Sequence, residues 1–243
     1  MSDTVRLTRH GTIATLTLDR PHKRNAFDDA LLDDLESAVC SLRDDATLRV
    51  LVVTGAGPSF CAGVDISDLA GIDDAELRRR RFAPIAARRT RILVRALETL
   101  RALAPLTVAA VDGAAAGGGF SLMLACDFRV LTERACCWYP EVALGVPLSP
   151  PSTRLLLDEV GMARAKDIIL RGTRLDATTL AALGIAHEVV PADDLAARVE
   201  RLATELAALA PPGAQVSKAT INALVRGESV LRPELALPPA NGD

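Results

Sequence analysis

Ala115-Ala116-Gly117-Gly118-Gly119-Phe120 is the stretch on which the fold turns. Three glycines in a row join the apolar run Val108 to Val111 to the helix-like run Phe120 to Cys126. Glycine tolerates torsions closed to other residues and lets a backbone approach a ligand closely. A glycine turn that opens a helix leaves N–H groups unpaired at the helix's positive end. Such a place suits an anion, or an oxygen on which negative charge develops. A second loop, Phe60-Cys61-Ala62-Gly63-Val64-Asp65, has the same strand-loop-helix setting. Two such loops supply two backbone donors for one oxygen.

Outward from these loops, the periodicities alternate between strand and helix. Ile13 to Leu18 alternates apolar and polar residues, as a half-buried strand does. Asp19-Arg20-Pro21 ends it. Between Asp28 and Leu42, residues Leu31, Leu32, Leu35, Val39 and Leu42 share one helical face, with two aspartates at its start. Val50 to Val53 reads as a strand buried on both faces, and Val108 to Val111 and Phe128 to Leu131 as further strands. Residues 68 to 90 are charged and irregular and predict a mobile helical flap ahead of a helix over Ile92 to Leu103. The three prolines between Pro147 and Pro151 predict a loop or a first helical turn. Helices follow over 153–160, 163–170, 177–183, 192–209 and 214–225, with a short strand at 187–190. The tail from Arg232 is Pro-rich. The pattern predicts an α/β chain with a core at 1–190 and a helical region at 191–243.

Composition narrows the function classes. Of 243 residues, 49% are hydrophobic and only 3% aromatic, so the core is built of Ala, Leu and Val. Net charge −3, from 28 basic and 31 acidic residues, offers no global field for nucleic acid. Arg78 to Arg81 is a local exception, followed by Arg88, Arg89, Arg91 and Arg95. It reads either as a solvated helix face or as a clamp for substrate phosphates. Five cysteines with no CxxC spacing read as reduced thiols, which suits a cytoplasmic protein. No apolar run is long enough to span a bilayer, and the three scattered histidines make no metal-ligand pattern.

Two donors aimed at a carbonyl oxygen stabilise an enolate or a tetrahedral oxyanion, but a proton carrier must choose the reaction. The candidate is Glu141, in Trp138-Tyr139-Pro140-Glu141-Val142-Ala143-Leu144-Gly145. Desolvation there would raise its pKa and strengthen it as a base. A surface Glu on a turn is the competing reading, since most Glu are exposed.

Taken together, these motifs resemble the crotonase superfamily, the enoyl-CoA hydratase/isomerase family. The matching stretches are Arg20-Pro21-His22-Lys23-Arg24-Asn25-Ala26-Phe27, Val53 to Gly57 with Phe60 to Asp65, Val111 to Gly119, Cys126-Asp127, and Pro140-Glu141-Val142 with Leu144-Gly145. The resemblance implies a spiral of ββα turns with a C-terminal helical region that builds trimers or pairs of trimers. It implies an acyl-CoA substrate and no separate cofactor, coenzyme A being part of the substrate. The backbone N–H groups of Val64 and Gly118 would be the oxyanion donors. Arg24, Ala26, Ala62, Val64, Asp65, Ile66, Gly117 and Gly118 would meet the coenzyme A thioester, mainly through backbone.

One departure bears on the reaction. Hydratases of the family carry two glutamates; the slot of the first is Ser121 here, and that of the second is Glu141. A Ser orients a water but is a poor base. One carboxylate suffices for moving a double bond, so the resemblance implies Δ3,Δ2-enoyl-CoA isomerisation. The alternatives are a hydratase in which Ser121 positions water and a member that binds acyl-CoA without catalysis. Leu69, Phe82, Ile85, Trp138 and Leu148 are candidate pocket walls, with core packing as the default for each.

Overall fold

The computed structural model describes residues 4–67 and 71–227. Among the described residues ten strands form two sheets. The larger, of six strands, runs in the order β1 (Val5–His10), β2 (Ile13–Leu18), β3 (Val50–Gly55), β5 (Leu106–Val111), β7 (Phe128–Thr132) and β10 (Glu188–Val190). Only the β1–β2 pair is antiparallel; the other four pairings are parallel. The smaller sheet is β4 (Ser59–Cys61), β6 (Ala114–Ala116), β8 (Cys136–Trp138) and β9 (Leu175–Asp176).

From β3 to β8 the chain visits the larger and the smaller sheet in turn, and each such pair of strands leads into a helix. The helix α1 (Asp29–Ser41) follows the first hairpin; β3 and β4 lead to α2 (Ala75–Ala102), β5 and β6 to α3 (Gly118–Leu124), and β7 and β8 to α4 (Pro150–Arg171). This is a ββα spiral, and its repeat sets the ends of β4, β6 and β8 side by side. The parallel partners Cys61↔Ala115 and Ala116↔Trp138 bring the two glycine loops and the Glu141 segment to one edge.

Local chemistry explains the main elements. Asp28 caps α1, its carboxylate accepting from the Leu31 N–H at 2.8 Å. The β2 strand buries every second residue, while β3 is buried on both sides over its first four. On one face of the large sheet Leu16, Leu18, Leu51, Val53, Ala109 and Val111 join the main core with Leu31, Leu35, Leu97 and Phe120. On the other face Val50, Val52, Val108, Ala110 and Val130 pack against Val199, Leu202 and Ala203 of α6 (Leu195–Ala207). The short α5 (Ala177–Ala182) precedes β10. Lys218 of α7 (Pro211–Val225) ties that helix back, reaching the Pro105 carbonyl at 2.7 Å and Asp127 at 2.8 Å.

Three expectations change. Residues 75–102 form one continuous helix, with Pro84 inside it, rather than a flap followed by a separate helix. Its basic residues stitch it to α1: Arg95 meets Glu36 at 2.6 Å, Arg89 meets Asp29 at 3.3 Å and Arg88 meets Asp29 at 3.5 Å. The side chains of Arg78 and Arg79, residues 68–70 of the expected flap and the tail from Arg232 lie outside the described residues. The helices expected at 153–160 and 163–170 belong to α4, interrupted at Gly161, whose φ of 72° is not helical. The strands β1, β4, β6, β8 and β9 had no sequence signal of their own; four of them are two or three residues long. No helix of the described residues is long and apolar enough to cross a membrane.

Candidate active site

At the shared edge of β4, β6 and β8 lies a cavity of about 890 Å3. One wall is the Ala62–Ser67 loop, with His22, Lys23, Arg24 and Ala26 beside it; the second is Ala116-Gly117-Gly118. Trp138, Pro140 and Glu141 make the third, and Phe82, Ala83, Ala86, Ala87, Thr90 and Leu93 of α2 the fourth. Leu144 and Val146 to Pro150 close it on the remaining side. The lining is mostly apolar with few polar groups, the pattern of a small-molecule site.

The backbone of the two loops is packed to contact. A Cβ on Gly63 would lie 2.7 Å from the Ala116 carbonyl and 3.5 Å from the Gly118 nitrogen, and Gly63 has φ +83°. Only glycine brings the loops this close. Among the described loop and cap hydrogen bonds, the N–H groups of Phe27, Asp65 and Gly117 donate to protein carbonyls. The N–H groups of Val64 and Gly118 donate to none of these acceptors. Gly118 is the first residue of α3, where a helix has no internal partner for its N–H.

The first loop is held from behind. The Arg20 guanidinium, buried, pairs with Asp28 at 3.0 Å and Asp65 at 3.3 Å. Asn25, fully buried, spreads its amide over the carbonyls of Ala56, Ser59 and Phe60 at 2.9, 2.8 and 3.2 Å. Its own φ is 54°, a left-handed torsion that Asn adopts more readily than most residues. Arg89 donates to the Asp65 carbonyl at 2.6 Å.

Two carboxylates reach the cavity, and they differ. Burial pushes the Asp65 carboxyl up, but the Ser67 hydroxyl, the Ser67 N–H at 2.9 Å and Arg20 together outweigh it and hold the pKa below the ordinary value. Glu141 has no such partners. Its Oε2 is buried without a hydrogen bond from the described residues, and burial pushes the carboxyl up to about 7, its own backbone N–H offsetting part of the rise. Its Oε1 lies 2.7 Å from where a Cβ on Gly117 would stand, so the carboxylate rests on the glycine face.

A family model described as enoyl-CoA hydratase/isomerase matches residues 8–234. The chain belongs to the enoyl-CoA hydratase/isomerase family, within the crotonase superfamily. It is 35% identical over 216 residues to "Enoyl-CoA isomerase/hydratase fer4" of Mycosarcoma maydis, covering 85% of this chain and 76% of the relative. The structure of an enoyl-CoA hydratase/carnithine racemase from Magnetospirillum magneticum superposes with TM-score 0.85 at 30% identity, over 97% of this chain and 86% of that one. A monofunctional enoyl CoA isomerase from M.smegmatis superposes with TM-score 0.77 at 28% identity, over 94% and 97% of the two chains. Several other relatives carry hydratase names.

The expected site residues fall on the cavity wall with one exception. Arg24, Ala26, Ala62, Val64, Asp65, Ile66, Gly117, Gly118 and Glu141 all line it. Ser121 does not. It is fully buried one turn into α3, its hydroxyl 3.1 Å from the Tyr139 phenol oxygen and 3.4 Å from the Gly117 carbonyl. The expected water-positioning Ser therefore presents no hydroxyl at the wall, because this face of α3 packs on Tyr139. Of the candidate walls, Phe82, Trp138 and Leu148 line the cavity, Ile85 does not, and Leu69 lies outside the described residues. The stripe Ala83, Ala86, Ala87 and Thr90 went unread, although its spacing of three and four is a helical face.

Proposed function

We propose that the chain is a Δ3,Δ2-enoyl-CoA isomerase with Glu141 as its single acid and base. The observation that carries this reading is the unequal state of the two cavity carboxylates. Asp65 is committed to Arg20 and Ser67, whereas Glu141 is half-buried, its Oε2 is enclosed without a hydrogen bond from the described residues, and its carboxyl is raised to about 7. In the proposed reaction the N–H groups of Val64 and Gly118 hold the thioester oxygen. Glu141 takes a proton from C2 of a 3-enoyl thioester, and the electrons move into a dienolate whose charge rests on that oxygen. The same carboxyl returns a proton to C4, leaving the conjugated 2-enoyl thioester and the original carboxylate. A pKa near the working pH lets one group serve both halves. Two further features support the reading over hydration: Ser121 is absent from the wall, and Val146, Pro147 and Leu148 make an apolar side.

Hydration of 2-enoyl-CoA is the second reading, and the hydratase names of several relatives favour it. Parallel assays separate the two. Purified protein is given 2-enoyl and 3-enoyl thioesters over a range of chain lengths, and products are followed by mass spectrometry. Conjugation without a gain of 18 mass units, as one added water would give, is expected; dominant 3-hydroxyacyl product would overturn the isomerase reading. We also propose a trimer or a pair of trimers, for which the exposed Met162, Leu170, Ile221 and Leu224 supply apolar surface.

A further inference from the structure

We propose that Ser121 and Tyr139 form a latch that positions Glu141 against the start of α3, a role that rests on Glu141 being the acid and base. Neither side chain lines the cavity; both are fully buried behind its wall. The two elements they join are the ones the chemistry needs in register. The helix α3 begins at Gly118, and the segment after β8 carries Glu141. The β6–β8 ladder ends at the Ala116↔Trp138 pair, with a last backbone bond from the Gly117 N–H to the Trp138 carbonyl at 2.9 Å. Beyond that rung, the hydroxyl pair at 3.1 Å spans from α3 to the Glu141 segment.

Side-chain direction makes the arrangement work. Trp138, Pro140 and Glu141 face the cavity, while Tyr139 is fully buried behind them and its ring packs on Phe120 at 4.8 Å between centroids. Tyr139 thus anchors the segment from behind while Glu141, two residues on, works in front. Ser121 is one turn along the helix that starts with Gly118, so the latch fixes the base relative to that N–H. It also engages the hydroxyl that stands in the slot of a second carboxylate.

The test uses Tyr139→Phe, which keeps the ring and removes the phenol oxygen, together with Ser121→Ala, Ser121→Thr and the Phe/Ala double variant. With 3-enoyl thioesters, kcat should fall on the order of 10- to 100-fold in each single variant, with KM changed by less than about twofold. The double variant should be no worse than either single, since both remove one bond, and Ser121→Thr should recover most of the loss. Melting should drop by only about 2–4 °C. A second readout needs no turnover: infrared titration of the Glu141 carboxyl, identified by difference from Glu141→Gln, should move downward as the loosened segment admits water. A folded Tyr139→Phe with unchanged kcat and unchanged carboxyl titration would overturn the latch, as would losses that multiply in the double variant. Wild-type protein that fails to conjugate any 3-enoyl thioester would instead overturn the isomerase reading, while the infrared titration still decides the latch.

Discussion

The role proposed for Glu141 rests on what surrounds it. Burial raises it to about 7, so near neutral pH it is divided between base and acid. Abstraction needs the ionised form, so kcat/KM should fall about tenfold per pH unit below this value and level off above it. Glu141→Gln should lose on the order of 1,000-fold or more and show no such limb. The same shift sets a stability signature of the opposite sense. Between the ordinary value of 4.5 and about 7, the folded chain binds a proton that the unfolded chain releases, so stability falls as pH rises through that window. In urea titrations Glu141→Gln should therefore be more stable than wild type at pH 8, by roughly 1–3 kcal/mol, with no such gain at pH 4. Gly117 is the neighbour with no room to change. Its φ of +52° and the carboxylate oxygen 2.7 Å from a would-be Cβ mean that Gly117→Ala must displace Glu141. Steady-state kinetics should show kcat down on the order of 100-fold in a protein that still folds. The pairing of Glu141 with the glycine run was legible in sequence because both are local motifs. The Tyr139 contact was not, since it depends on which way a three-residue strand turns its side chains.

At the level of elements, the first glycine loop is shaped by residues that never face the substrate. The Asn25 amide gathers three carbonyls, one of the β3–β4 connection and two of β4, and its side-chain oxygen accepts from the Arg20 backbone N–H at 2.9 Å. Asn25→Ala strands these buried groups and should cost about 3 kcal/mol in chemical denaturation. β2 and α1 were readable because period-2 and period-3.6 patterns persist along them, and β3 and β5 because each carries a continuous apolar run; β1, as long as β2, is exposed along most of its length and shows neither. The helix α2 was misread in its first half. It carries arginines whose partners are the acids of α1, sixty residues away in sequence for the buried Arg89 and Asp29, and Pro84 mimics a break. Its small residues at 83, 86 and 87 make cavity rather than core, which a search for buried apolar stripes passes over.

Across the whole molecule, the large sheet carries two cores, one against α1, α2 and α3 and one against α6, and the spiral between its two sheets brings three sequence-distant loops to one edge. The order of family motifs foretold that convergence; the second core was hidden because α6 lies in the helical region at 191–243, far in sequence from the strands that it covers. The exposed apolar residues of α4 and α7 predict association. Light scattering should give the mass of a trimer or hexamer of the 25.7 kDa chain, and a monomer at micromolar concentration would contradict the assembly proposal. In the proposed reaction one carboxylate carries the proton between two carbons of a bound thioester. The most direct measurement is conversion of a 3-enoyl-CoA to its conjugated 2-enoyl isomer across pH 5 to 9, wild type beside Glu141→Gln. A wild-type rate rising through about pH 7 and an inactive Gln variant are predicted; a Gln variant that isomerises at the wild-type rate would contradict the account.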